Sequence, residues 1–158
     1  VDTIEQALRL GAQRAIVGTA AIEEPEVVRE ACRRYPNRII VSVDAREGMV
    51  ATRGWREGTQ VSVEDLIERM KALGARRFLC TDIAKDGTLT EPSFGLYERL
   101  VRLGVAVIAS GGVAKIEHLV RLSRIGVEGA IVGKALYTGD LDLRQALARV
   151  EEEGRVSA

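Results

Sequence analysis

Val105-Ala106-Val107-Ile108-Ala109-Ser110-Gly111-Gly112-Val113 is a short apolar run that stops on a glycine pair, and Ala130-Ile131-Val132-Gly133-Lys134-Ala135 repeats that plan further along. Between them, Ile116 to Ile125 carries apolar residues at helical spacing and ends at Gly126. Strand, glycine turn, amphipathic helix and strand again is the pattern of a βα unit followed by the next parallel strand.

The same alternation extends through the chain. Ile4, Ala7 and Leu8 sit at helical spacing before Gly11, and Ala15-Ile16-Val17 is a short strand run. Pro25 opens a helix carrying Val27, Val28, Ala31, Cys32 and Tyr35, and Ile39-Ile40-Val41-Ser42-Val43 is the next strand. A polar stretch from Arg46 to Thr59 follows, in which Met49-Val50-Ala51-Thr52 suits one arm of a small hairpin. Ser62 caps a helix with Glu64 and Asp65 in its first turn and Leu66, Ile67, Met70 and Leu73 on its apolar face. Phe78-Leu79-Cys80 is a strand, Leu96 to Leu103 a helix, and Leu143 to Val150 a closing helix. Near-continuous apolar strands separated by amphipathic helices predict an α/β fold with a parallel sheet covered by helices. The pattern by itself fits an open doubly wound sheet or part of a barrel.

An internal repeat narrows the choice. Residues 1–20 and 116–135 align without gaps, with identity at Arg9/Arg124, Gly11/Gly126, Ala15/Ala130, Ile16/Ile131, Val17/Val132, Gly18/Gly133 and Ala20/Ala135. Duplicated half-barrels and convergence of two αβ units both produce such a match, and the match favours duplication. The second copy is preceded by Ser110-Gly111-Gly112, whereas the first begins at Val1, directly in a helix. Upstream strands are therefore expected in the complete protein.

The chemistry-bearing residues cluster after strands. Ser110-Gly111-Gly112 and Gly133-Lys134 lie at successive strand ends, where glycine lets backbone N–H groups approach a phosphate closely. The bland reading of a Gly-Gly pair is a tight turn. Gly18-Thr19, the repeat counterpart of Gly133-Lys134, makes half of a second such site. Asp44 closes the strand Ile39 to Val43, and a carboxyl there serves either as a general acid or as a turn ligand. Thr81 and Asp86 follow another strand, although Asp86-Gly87 is also a plain turn signal. Trp55, the only tryptophan, either packs over a core edge or stacks on a planar ligand, and Arg53 beside it suits a carboxylate or phosphate. His118, the only histidine, sits in a helix beside Glu117 and is expected to face solvent.

Composition bounds the rest. Lys plus Arg and Asp plus Glu both number 23, so the net charge of zero argues against nucleic acid or an anionic membrane as partner. No apolar run approaches the roughly 18 residues of a membrane span, and Val1-Asp2-Thr3-Ile4-Glu5 has no leader pattern. Cys32 and Cys80 form no CxxC pair, so both are expected as buried, reduced packing residues in a cytoplasmic protein. No histidine pair or carboxylate cluster has metal spacing, and no metal is expected.

Taken together, Val43-Asp44-Ala45-Arg46, Arg53-Gly54-Trp55, Thr81-Asp82-Ile83 with Lys85-Asp86-Gly87-Thr88-Leu89, Ser110-Gly111-Gly112-Val113 and Ile131-Val132-Gly133-Lys134-Ala135 closely resemble the ProFAR isomerase family of histidine biosynthesis. The resemblance covers the whole chain in order. It implies a (β/α)8 TIM barrel built from two similar halves, here as parallel strands four to eight with strands one to three absent. Residues 1–158 would then be one incomplete barrel domain, with 1–35 ending the first half and 36–158 forming the second. It implies an Amadori rearrangement of an aminoaldose to an aminoketose, without a cofactor, on a small phosphorylated sugar substrate that carries two phosphates.

By the same resemblance Asp44 matches the general acid that protonates the ribose ring oxygen, and Thr81 and Asp86 match substrate contacts. Ser110, Gly111, Gly112, Gly133 and Lys134 match one phosphate site, Gly18 and Thr19 part of the other, and Arg53 and Trp55 a loop that closes over the substrate. The family's general base is an aspartate on its first strand, for which residues 1–158 offer no counterpart. The chain alone is therefore expected to be inactive, with open sheet edges prone to association. Two rivals stand beside this reading. The cyclase subunit of imidazole glycerol phosphate synthase is a similar barrel, but it differs at Thr81-Asp82-Ile83 and lacks tryptophan at Trp55. The other is a non-catalytic partial barrel that needs its N-terminal strands.

Overall fold

A computed structural model describes residues 1–52 and 57–156. Arg53 and Trp55, both singled out above, lie outside the described residues. The chain divides into two compact units, Val1–Leu79 and Cys80–Ala158.

The first unit runs through α1 (Asp2–Arg9), β1 (Ala15–Val17), α2 (Ala20–Glu23), α3 (Pro25–Arg34), β2 (Ile39–Arg46), β3 (Met49–Thr52), β4 (Glu57–Ser62) and α4 (Val63–Ala72). β1 pairs with β2 in parallel, Ala15 opposite Ile39 and Val17 opposite Val41. β2 then continues beyond the expected end at Val43, because its last residues pair antiparallel with β3, Asp44 opposite Ala51 and Arg46 opposite Met49. β3 pairs antiparallel with β4. Glu47 and Gly48 both take left-handed backbone (φ 52° and 80°), the conformation that a two-residue hairpin turn demands. The sheet is therefore mixed rather than purely parallel. Asp44 and Arg46 read as the end of an apolar strand, yet a hairpin arm supplies hydrogen-bonding partners to backbone whatever its side chains.

α4 covers this sheet for a reason written in its spacing. Val63, Leu66, Ile67 and Met70 recur at i, i+3, i+4 and i+7, and all four are buried. They pack toward β2 and β3. Fully burying each such side chain is worth roughly 1.5–3 kcal/mol. Ser62 starts the helix as expected, its hydroxyl accepting from the Asp65 N–H at 3.0 Å. Cys32 differs from expectation in being half-buried, because it sits at the margin of α3's apolar stripe rather than at its centre, where Val28 and Ala31 lie. Burial still pushes its thiol pKa up.

β5 (Arg77–Asp82) spans the boundary between the units. The second unit continues with α5 (Phe94–Val101), β6 (Ala106–Ser110), α6 (Ile116–Ile125), β7 (Gly129–Ile131), α7 (Lys134–Thr138) and α8 (Leu143–Val156). β6 and β7 pair in parallel, with Ala109 opposite Ala130 and Ser110 opposite Ile131. α8 outruns the expected end at Val150 by six residues, 150 to 156. Glu151-Glu152-Glu153 carries no apolar periodicity, but Glu153 accepts from the Arg124 guanidinium of α6 at 2.6 Å and meets Arg149 at 3.6 Å. Both units are thus α/β, strands alternating with helices.

The repeat recognised in the sequence has a structural counterpart. Gly11 donates to Leu8 O and Ala12 to Ala7 O, while Gly126 donates to Ser123 O and Val127 to Leu122 O, the same two bonds 115 residues later. Both glycines are left-handed, φ 102° and 94°, as a helix C-terminal cap requires. Beyond the strands, Ala21 donates to Gly18 O as Leu136 donates to Gly133 O. Even the exposed residues correspond, Ile16 in β1 with Ile131 in β7.

Candidate functional site

A cavity of about 230 Å³ opens in the second unit where β6 and β7 end. Its walls are the loop after β5 (Asp86, Gly87, Leu89), the loop after β6 (Ser110 to Val113), and Ile131, Gly133 and Lys134 at the end of β7. A single water occupies about 30 Å³, so the space admits a phosphate-sized group. Of the anticipated binding residues, Asp86, Ser110, Gly111, Gly112, Gly133 and Lys134 are brought together here.

The glycine pair is held by backbone on its far side. Gly111 has φ +100°, and a Cβ there would lie 2.7 Å from Asp82 O. Gly112 has φ +79°, and its Cβ would lie 2.4 Å from Glu91 O. Side chains are thus excluded twice, by backbone conformation and by space. The pair therefore has a packing role in addition to lining the cavity.

The loop after β5 is a compact turn organised by Asp82. Its backbone oxygen accepts from both Lys85 N and Asp86 N at 3.0 Å. Its buried carboxylate accepts from Ala84 N at 3.0 Å and from the Ser93 hydroxyl. Thr88 closes the turn through Lys85 O. Asp86 stands exposed at the cavity's edge, and across it the Lys134 ammonium donates to Gly87 O at 3.1 Å. Thr81 lies within β5, which runs on to Asp82, and does not line the cavity.

Beneath the loops, Tyr97 of α5 is fully buried, with its hydroxyl set between the ends of two strands. It donates to Ser110 O at 2.8 Å, lies 3.2 Å from Cys80 O, and accepts from Ser110 N at 3.2 Å. Burial pushes the phenol pKa well above its ordinary range, so the hydroxyl keeps its proton. The sequence reading assigned no role to Tyr97, Asp82 or Ser93. An apolar helix position is the only local mark of Tyr97, and Asp82 entered only as the middle of the Thr81-Asp82-Ile83 motif.

His118 corrects the expectation of a solvent-facing residue. It is half-buried, its Nδ1 accepts from Ala114 N at 3.3 Å, and its ring meets Phe94 edge-on at 5.9 Å. Arg121 lies over the Phe94 ring, 3.9 Å from its centroid. The histidine thus braces the loop that follows the glycine pair. Burial, with Lys115 nearby, holds its pKa below the usual value.

The remaining anticipated residues lie in the first unit. Asp44 is half-buried inside β2, at the position where the strand passes from its parallel partner to the hairpin, rather than at the strand's end. Gly18 and Thr19 follow β1, and Thr19 is the N-cap of α2. Among the described residues no group of three or more His, Cys, Asp or Glu side chains is arranged to hold a metal ion, and no helix is long and apolar enough to cross a membrane.

Known proteins resemble this chain closely. An imidazole-4-carboxamide isomerase of phosphoribosyl substrates from Roseiflexus sp. (strain RS-1) is 54% identical over 152 residues, covering 96% of this chain and 64% of the relative. Isomerases of the same name follow from Dehalococcoides mccartyi (strain ATCC BAA-2266 / KCTC 15142 / 195), at 52% over 92% of this chain and 62% of the relative, and Symbiobacterium thermophilum, at 50% over 94% and 60%. The chain thus spans just over three-fifths of the length of these curated relatives. The model of one family, described as histidine biosynthesis protein, matches residues 1–142, and the chain belongs to that family.

Proposed function

We propose that this chain is the larger part of an aldose–ketose isomerase of histidine biosynthesis, acting on the bis-phosphorylated aminoimidazole carboxamide ribotide ProFAR. The observation that carries the reading is the cavity in which Gly111, Gly112, Gly133 and Lys134 converge beside Asp86. Support comes also from relatives of about 50% identity that bear the name of such an isomerase.

In this reading the cradle grips one terminal phosphate, and Gly18 and Thr19 contribute to the grip on the other. Anchoring both ends spends binding energy on holding the reacting sugar in one pose. Asp44 is the general acid that protonates the ribose ring oxygen as the ring opens to an imine. A base then removes the C2 proton, and the resulting enolamine collapses to the aminoketose. C1 is reduced as C2 is oxidised, so the reaction balances within one molecule and needs no cofactor. Thr81 and Asp86 contact the substrate, and the Arg53–Trp55 loop covers it. In this reading the base comes from the part of the relatives' length that this chain does not span. The fold that this reading calls for is a (β/α)8 barrel, supported by the duplicated αβ unit. This reading includes association through open strand edges, and Cys32 and Cys80, which form no disulfide, suit a cytoplasmic setting.

The test is ProFAR turnover by the purified chain, alone and with the N-terminal segment of a relative added in trans, beside Asp44→Asn. Turnover on complementation, reduced by about 10²–10⁴ in the variant as loss of a general acid predicts, supports the proposal. An assembled complex with no turnover removes it.

A further inference from the structure

We infer that Lys134 is a positioning residue for the loop that carries Asp86, and that an anion in the cavity orders this loop through it. The inference rests on reading the cavity as a phosphate cradle. Asp86, Gly87 and Thr88 are all exposed, so side-chain burial does not hold the tip of the loop. Within the loop Asp86 N donates to Asp82 O and Thr88 to Lys85 O, and two further approaches tie the loop to cradle residues. Gly111 sits so close beneath the turn that a Cβ would reach Asp82 O at 2.7 Å and Asp86 N at 3.5 Å. Lys134 reaches over from the start of α7 and donates to Gly87 O at 3.1 Å, linking positions 47 residues apart.

An ammonium has three N–H donors, and Gly87 O uses one of them. The others are available to an anion in the same cavity, whose wall Lys134 forms. The ammonium then lies between a phosphate oxygen and the Gly87 carbonyl, which fixes its rotamers and with them the loop. It also offsets the repulsion between the anion and the neighbouring Asp86 carboxylate. Phosphate binding and the placement of Asp86 become a single event, so a substrate lacking that phosphate would meet a less ordered Asp86. Gly87, at φ +66°, gives the loop tip the turn that exposes its carbonyl to Lys134.

The experiment is a titration of the isotope-labelled full chain with inorganic phosphate, followed by amide NMR shifts in wild type, Lys134→Met and Lys134→Arg. The expected result is that Gly111, Gly112 and Asp86–Thr88 amides of the wild type move together with one Kd. In K134M the Gly111 and Gly112 amides still move, with Kd raised roughly tenfold for one charge-assisted hydrogen bond, while Asp86–Thr88 stay still at saturation. K134R restores the loop's response. Two results overturn the inference and spare the cradle: loop amides that ignore phosphate in wild type while Gly111 responds, or loop amides that respond in K134M as in wild type. If no cradle amide responds in wild type, the phosphate reading fails and the inference with it.

Discussion

The Tyr97 hydroxyl donates to Ser110 O at 2.8 Å and accepts from Ser110 N at 3.2 Å, so one buried phenol satisfies both backbone groups of the residue that leads into the glycine pair. Tyr97→Phe removes only that oxygen and leaves these buried groups short of partners. The expected cost is about 1–3 kcal/mol, read as a lower urea midpoint. If the variant is as stable as wild type, water or relaxed backbone replaces the hydroxyl and its bracing role is wrong.

Gly112 and Gly139 share φ +79° but differ in surroundings, which allows strain and space to be separated. A Cβ on Gly112 meets Glu91 O at 2.4 Å, whereas one on Gly139 meets nothing within 4 Å. Gly139→Ala should cost only the left-handed backbone, roughly 1–2 kcal/mol. Gly112→Ala should add about 1–3 kcal/mol of overpacking and weaken phosphate binding. Equal denaturant midpoints for the two variants would refute the close approach to Glu91.

His118 predicts a pH dependence of definite sign. Burial and Lys115 lower its folded-state pKa, against the opposing pull of Glu91 and Glu117, and Nδ1 must be unprotonated to accept from Ala114 N. The unfolded chain therefore binds the proton more tightly. This contribution to stability is complete above about pH 6.5 and is lost as the pH falls through the folded value. Unfolding midpoints between pH 5 and 8 should show that limb in wild type and a flatter one in His118→Gln. Parallel profiles would exclude His118 as its source.

Glu153 acts in a lower window. The Arg124 guanidinium holds its carboxyl below the usual range. The resulting stabilisation is present above the unfolded value near 4.5 and lost as pH falls through the folded one. Glu153→Gln should lose this acid limb and let the end of α8 fray, measured as faster amide exchange after Val150. Unchanged exchange there would show that apolar packing alone secures the helix.

Much of the architecture was legible because it is encoded locally. Helical spacing in Val63-Leu66-Ile67-Met70, the Ser62 cap and the glycine stops at Gly11 and Gly126 each depend on neighbours within a turn or two. The duplicated αβ unit and the glycine sites after strands were legible for the same reason, since a short motif carries its own backbone chemistry. Where local signals were ambiguous, reading failed. Met49–Thr52 was legible as a hairpin arm, but polar Asp44 and Arg46 looked like a strand's end, and nothing local showed that they form the other arm.

What the linear order left open is set by groups distant along the chain. Gly112 is confined by a carbonyl at Glu91, His118 is drawn inward by Phe94, and Lys134 finds Gly87 across 47 positions. Tyr97 reads as one more apolar helix residue until Ser110 is brought to its hydroxyl. Hydrogen bonds and van der Waals contacts act over a few ångströms, so such pairings exist only once folding has brought their members together. The sequence alone therefore determined which elements form and which residue types end them; the partners those residues meet came from the packing of the fold.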